Sequence, residues 1–191
     1  MKTLYIERST GECRDGSWVN QLDLEGVERI VVGTGPGSFA GIRSALAFAQ
    51  GYALGKPCDV LGLPSACAIA AQVLAAKESN SQSPIPASSL HLAVVGDARQ
   101  GKIWIALFKG YSLERDVFQV NMEDLLGTVP PDCQVVTPDA KRIDGFLRET
   151  FGDRYLGGQT PTAEGLRRFA EQNPSALKPE PLPIYLNPAV R

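Results

Sequence analysis

A β-branched run, Ile30-Val31-Val32, stops at Gly33-Thr34-Gly35-Pro36-Gly37 and gives way to a long stretch of small and apolar residues that begins at Ser38. Three glycines and a proline within five residues require a tight turn with positive backbone φ angles, where glycine alone is comfortable. Ser38 is placed to cap the helix that follows, because its hydroxyl can accept a free N–H of the first turn. The stretch reads as strand, sharp turn and buried helix, with Gly33, Gly35, Pro36, Gly37 and Ser38 as a structural turn.

The helix is expected over residues 39–54. Ile42, Ala45, Leu46, Ala49, Tyr52 and Ala53 recur at helical spacing and define one buried face. A second face is small: Gly41, Ala45 and Ala49, then Gly51 and Gly55. Small residues four apart let another element approach closely. Phe39 and Phe48 lie off the main stripe, so the helix is apolar nearly all round and should be covered on several sides, by its own fold or by a partner. Arg43 is a lone cation in this apolar setting and is expected to form a structural or interface ion pair.

Composition narrows the function classes. The chain has 191 residues, 43% of them apolar and 21% charged, with a net charge of −2. Such a balance argues against a basic nucleic-acid binder acting alone, since phosphate binding needs clustered Lys and Arg. The first residues have no apolar signal core, and the longest apolar-rich run, residues 65–77, is too short to span a bilayer. Four scattered cysteines, Cys13, Cys58, Cys67 and Cys133, form no C-x-x-C pair and are expected as free thiols in a cytoplasmic protein. The single histidine, His91, excludes a two-histidine metal site within one chain and is expected at the surface where a strand starts.

In chain order, a first strand is expected over residues 3–7, a return strand from residues 17–19 and a polar connector over 20–28. Strands follow at 29–33 and 59–63, then an apolar helix over 65–76. Residues 78–89 are rich in Ser, Pro, Asn and Gln and mark the boundary between two lobes, 1–85 and 86–191. The second lobe opens with a hairpin, 90–95 and 103–108, turning at Arg99-Gln100-Gly101-Lys102. A strand at 117–120, a short helix capped by Asn121 and a strand at 134–137 follow. Helices are expected over 139–151 and 161–172, the latter capped by Thr160 with Pro161 in its first turn, before a proline-rich extended tail at 179–188.

Chemistry-bearing patterns are sparse. The glycine turn lacks the Gly-Lys-Ser/Thr of a P-loop, and Ser38 occupies the third glycine position of G-x-G-x-x-G. A helix N-terminus can still hold an anion, but the turn reads first as a packing device. Asp97 and Arg99 are candidate residues at the mouth of a cleft, or the turn chemistry of a hairpin end. No paired-carboxylate motif, metal-ligand spacing or nucleophile–base arrangement is visible, so no catalytic, metal or cofactor residue is assigned.

Gly33-x-Gly35-Pro36-Gly37-Ser38-Phe39-x-Gly41-Ile42-Arg43 closely resembles the G-x-G-P-G-S-F-T-G-L-R signature of the TsaB (YeaZ) family. Leu61-Gly62-Leu63-Pro64-Ser65, Asp97-Ala98-Arg99-Gln100-Gly101-Lys102-Ile103-Trp104 and Pro183-Ile184-Tyr185-Leu186 are similar to further segments of that family, in the same order. The resemblance implies an α/β, actin-like, ribonuclease-H-related fold of two lobes. It also implies a non-catalytic scaffold for the paralogue TsaD, which carries out threonylcarbamoylation of tRNA adenosine beside the anticodon. The ATPase TsaE joins indirectly, and tRNA is met only through the complex.

The sequence departs from the family in two places. Ile6-Glu7-Arg8-Ser9-Thr10 stands where the family has I-D-T-S, which weakens any phosphate or ATP site. Residues 20–28 stand where the family has further strand and a long first helix, so the first lobe reads as shortened. On this reading Phe39, Ile42, Arg43, Ala45, Leu46, Phe48 and Ala49 form the partner interface. Two alternatives remain open: a residual nucleotide-binding or glycoprotease-like hydrolase working near Asp97, and a homologue that self-associates as a homodimer through the same helix.

Overall fold

The computed structural model describes residues 1–10, 17–79 and 86–186. Its strands and helices in chain order are β1 (Lys2–Ile6), β2 (Val27–Gly33), α1 (Phe39–Gly55), β3 (Asp59–Leu63), α2 (Ser65–Ser79), β4 (His91–Arg99), β5 (Lys102–Lys109), β6 (Ser112–Asn121), α3 (Leu125–Thr128), β7 (Gln134–Thr137), α4 (Ala140–Phe151), β8 (Tyr155–Gly158), α5 (Ala163–Gln172) and β9 (Lys178–Pro179). The chain divides into two compact units, Met1–Ala68 with Pro161–Tyr185, and Ile69–Thr160 with Leu186–Arg191. This cut differs from one at residue 85, and it groups α5 and the tail with the first strands. Half of the loop expected to separate the lobes, residues 80–85, lies outside the described residues, as do Cys13, the turn at 14–16 and the end of the tail.

The first unit is built on a sheet of order β1-β2-β3-β9, parallel except for the short β9. Ile30, Val31 and Val32 are fully buried, as expected of a parallel strand covered on both faces. One face packs Ile6, Val27, Ile30 and Val32 against Ile42, Ala45, Leu46 and Ala49 of α1. On α5, which packs on β1 and β2, Leu166 and Phe169 are fully buried. Thr162 caps α5, its Oγ1 accepting the Gly165 N–H at 3.0 Å. Thr160 and Pro161 therefore precede the helix, and Pro161 is not in its first turn. Residues 17–19 are not a strand: Ser17–Gln21 is a 3-10 helix that buries Trp18 edge-on against Phe48, with ring centroids 5.5 Å apart.

The second unit carries a sheet of order β6-β5-β4-β7-β8, antiparallel through β4-β5-β6 and parallel from β4 to β8. Ala93, Val95, Ile103, Ile105 and Val135 face Ile143, Leu147 and Phe151 of α4. The expected hairpin is present, with Arg99, Gln100 and Gly101 all at positive φ. Strand β8 was not apparent in the sequence, since Tyr155-Leu156-Gly157-Gly158 carries two glycines. Asn121 does not cap a helix through its side chain; it donates to Asp124 Oδ2 at 3.1 Å, and Met122–Asp124 is a 3-10 turn leading into α3.

Candidate functional site

The glycine turn is anchored from three sides. Thr34 N–H donates to Leu63 O at 2.9 Å, Gly35 N–H to Ser65 Oγ at 3.1 Å, and Ser65 N–H to Gly35 O at 2.8 Å. Ile184 N–H of the tail donates to Thr34 O at 2.9 Å. Gly35 and Gly37 take φ of 92° and 157°, and the Gly35–Pro36 peptide is cis. Ser38 caps α1 as the sequence predicts, accepting the Gly41 N–H at 3.3 Å.

The chain itself fills the approach to this turn. Ser38 N–H donates to Ser9 O at 2.6 Å. A Cβ at Gly37 would collide with Ser9 O, and one at Gly41 with Arg8 O. These carbonyl oxygens crowd the start of α1, where an anion would bind, and they repel negative charge. The signature glycines thus let residues 7–9 lie flat against the turn.

Glu7 lies deepest. Its Oε1 accepts the Ser9 N–H at 2.7 Å, while Oε2 is sealed against Gly33 without a hydrogen bond. Burial pushes this carboxyl above its ordinary range, against the opposing pull of Ser9; Ser65 Oγ also bears on it, without the geometry of a hydrogen bond.

The expected partner residues separate into two groups. Ile42, Ala45, Leu46 and Ala49 are 0–4% exposed and belong to the core of the first unit, so they are not available to a partner. The helical stripe read as a docking face is the face that covers the sheet. Phe48 is half-buried beside Trp18. Phe39 and Arg43 do reach the surface, where Phe39 is 55% exposed, packs 5.5 Å from Tyr185, and lies under the Arg43 guanidinium at 4.9 Å. The rest of the outward face is Ala40, Ser44, Ala47, Gln50, Gly51 and Leu54, the last 91% exposed.

Asp97 and Arg99 form a tied hairpin end. Asp97 Oδ1 accepts the Arg99 N–H at 2.8 Å, and Oδ2 stands 3.4 Å from Arg99 Nη1 and 3.8 Å from Arg142 Nη1. Asp97 N–H donates to Asp139 Oδ2 at 3.0 Å, which draws the Asp139 side chain away from capping α4. Burial raises the Asp139 carboxyl. Asp139 was not singled out by its sequence neighbourhood, because the pairing depends on the β4 and β7 ends lying side by side.

The family's sequence model for TsaD, tRNA N6-adenosine threonylcarbamoyltransferase, matches residues 19–123. The chain belongs to the TsaD family. Two solved structures share its fold. YeaZ from Pseudomonas aeruginosa is 20% identical, with a TM-score of 0.63 over 88% of this chain and 79% of that one. An uncharacterized protein with similarity to peptidase YeaZ, also from Pseudomonas aeruginosa, is 20% identical, with a TM-score of 0.63 over 91% of this chain and 80% of that one. No curated protein matches. The two α/β sheets of this TsaD-family chain agree with the actin-like class that the family resemblance implies. No helix among its described residues is long and apolar enough to cross a membrane.

Proposed function

We propose that this chain is a TsaB-type partner subunit in tRNA threonylcarbamoyladenosine synthesis, docking a catalytic TsaD paralogue rather than performing the transfer. The observation that carries this reading is the outward face of α1. Phe39 and Leu54 stand exposed at its two ends, and small residues, Ala40, Ser44, Ala47 and Gly51, lie between them. Apart from its two chain neighbours and the nearby backbone of α1 itself, nothing in the described residues lies within 4 Å of where a Gly51 Cβ would be. Such a face admits a second helix at close range. The closed glycine turn and the buried Glu7 support a scaffold over a nucleotide-using enzyme. A net charge of −2 fits a subunit that meets tRNA through its partner.

The test is co-purification with the TsaD of the same organism. Ala47→Glu and Leu54→Glu place a charge on the exposed face and are expected to abolish the complex while leaving far-UV circular dichroism and the melting temperature unchanged. Undiminished co-purification of both variants would remove the reading. Light scattering of the chain alone separates heterodimer formation from pairing of two copies through the same face. A saturable thermal shift with ATP and a divalent metal ion would favour the hydrolase alternative instead.

A further inference from the structure

His91, Asp132 and Cys133 come together at one end of the second unit's sheet. Parallel pairing aligns Leu92 of β4 with Gln134 of β7, so His91 stands beside Cys133 one position earlier. Ala93 and Val135, two residues further along each strand, both face α4. By the two-residue period of a strand, His91 and Cys133 share that face. Asp132 reaches the same point from the loop, with Oδ2 at 2.8 Å from His91 Nδ1. An imidazole nitrogen, a thiol sulfur and a carboxylate oxygen all lie within 4.8 Å of one another.

We propose that these three residues form a binding site for a borderline-soft divalent metal ion of the zinc type, with solvent or a further ligand completing the coordination. Metal–ligand bonds of about 2.0 to 2.3 Å put tetrahedral ligand atoms about 3.3 to 3.7 Å apart. Side-chain movements of about 1 Å therefore close the three donors on an ion. Mixed nitrogen, sulfur and oxygen donors select zinc over magnesium or calcium, which take oxygen ligands.

The loop that carries two of the donors is held in place. Pro130 and Pro131 precede Asp132, and Cys133 N–H donates to Pro130 O at 3.1 Å. The Arg154 guanidinium donates to the carbonyls of Pro130 and Pro131 at 3.0 and 3.1 Å. Asp132 is exposed and His91 half-buried, so an ion can enter from solvent, while Cys133 closes the inner side. Binding replaces the S–H bond of Cys133 with a metal–sulfur bond, and the proton passes to water.

The test is titration of the reduced full chain with cobalt(II), whose thiolate charge-transfer band in the near ultraviolet reports sulfur ligation directly. One cobalt per chain, a charge-transfer band and displacement of both by zinc are expected. Cys133→Ser should remove the band. His91→Gln, at a partly exposed position, should weaken binding by more than the tenfold to hundredfold that loss of an outer-shell partner costs. Asp132→Asn should weaken it as well. The proposal is overturned if no charge-transfer band forms, or if the band survives His91→Gln unchanged. It is overturned equally if the band disappears with Cys58→Ser instead.

Discussion

A Cβ at Gly33 would collide with Glu7 Oε2, and the two positions constrain each other. Gly33→Ala is expected to cost about 1 to 3 kcal/mol through overpacking. Glu7→Ala in the same chain should recover part of that loss, and urea denaturation of the two single variants and the double variant measures the coupling. Glu7 also sets a pH dependence. Burial raises its folded-state value above the ordinary 4.5, so between the two values the folded chain holds a proton that the unfolded chain has released. This group's stabilising contribution is full below pH 4.5 and is lost as pH rises through the folded-state value. Against Glu7→Gln, which cannot ionise, the wild-type urea midpoint should fall progressively as the pH is raised from 4.5. Parallel pH profiles for the two proteins would contradict this account.

At the scale of the element, α1 separates stability from recognition by face. Leu46→Glu places a charge in the core beside Ile30 and Val32 and is expected to unfold the first unit, so loss of binding in that variant says nothing about docking. Gly51 tests the outward face more cleanly. It lies inside the helix with open space around it, so Gly51→Ala should raise stability by about 0.5 to 1 kcal/mol. If a partner helix packs there, the same methyl group should weaken the complex. A variant that is more stable yet binds less well, read by thermal melting and co-purification together, is the expected outcome. Helix α5 has no such free face toward the sheet: Phe169→Ala should cost about 3 to 5 kcal/mol because its ring is wholly buried.

At the scale of the whole molecule, the chain's grouping predicts where damage spreads. Pro161–Tyr185 belongs with Met1–Ala68, and α5 packs on β1 and β2. A chain ending at residue 160 should lose hydrogen-exchange protection in β1 and β2 while retaining it in β4, β5 and β6. Retained protection in β1 would show that the first unit closes without α5. Composition reports where a loop is polar; it does not report which strands a distant helix covers.

Local physics was legible in the sequence. The β-branched run of β2, the glycine turn, the Ser38 cap, the hairpin turning at Arg99-Gln100-Gly101-Lys102 and the presence of α4 and α5 all follow from steric limits and periodicity within a few residues. The apolar stripe of α1 was equally legible, but periodicity cannot say whether a stripe faces the chain's own sheet or a partner. Only the tertiary structure decided that Ile42, Ala45, Leu46 and Ala49 belong to the core and that Ala47, Gly51 and Leu54 look outward. The same holds for Glu7 beneath Gly33, for Asp97 beside Asp139 and for His91 beside Cys133. Each pair is distant along the chain and is joined by strand register or by close backbone packing, and neither leaves a mark in local sequence.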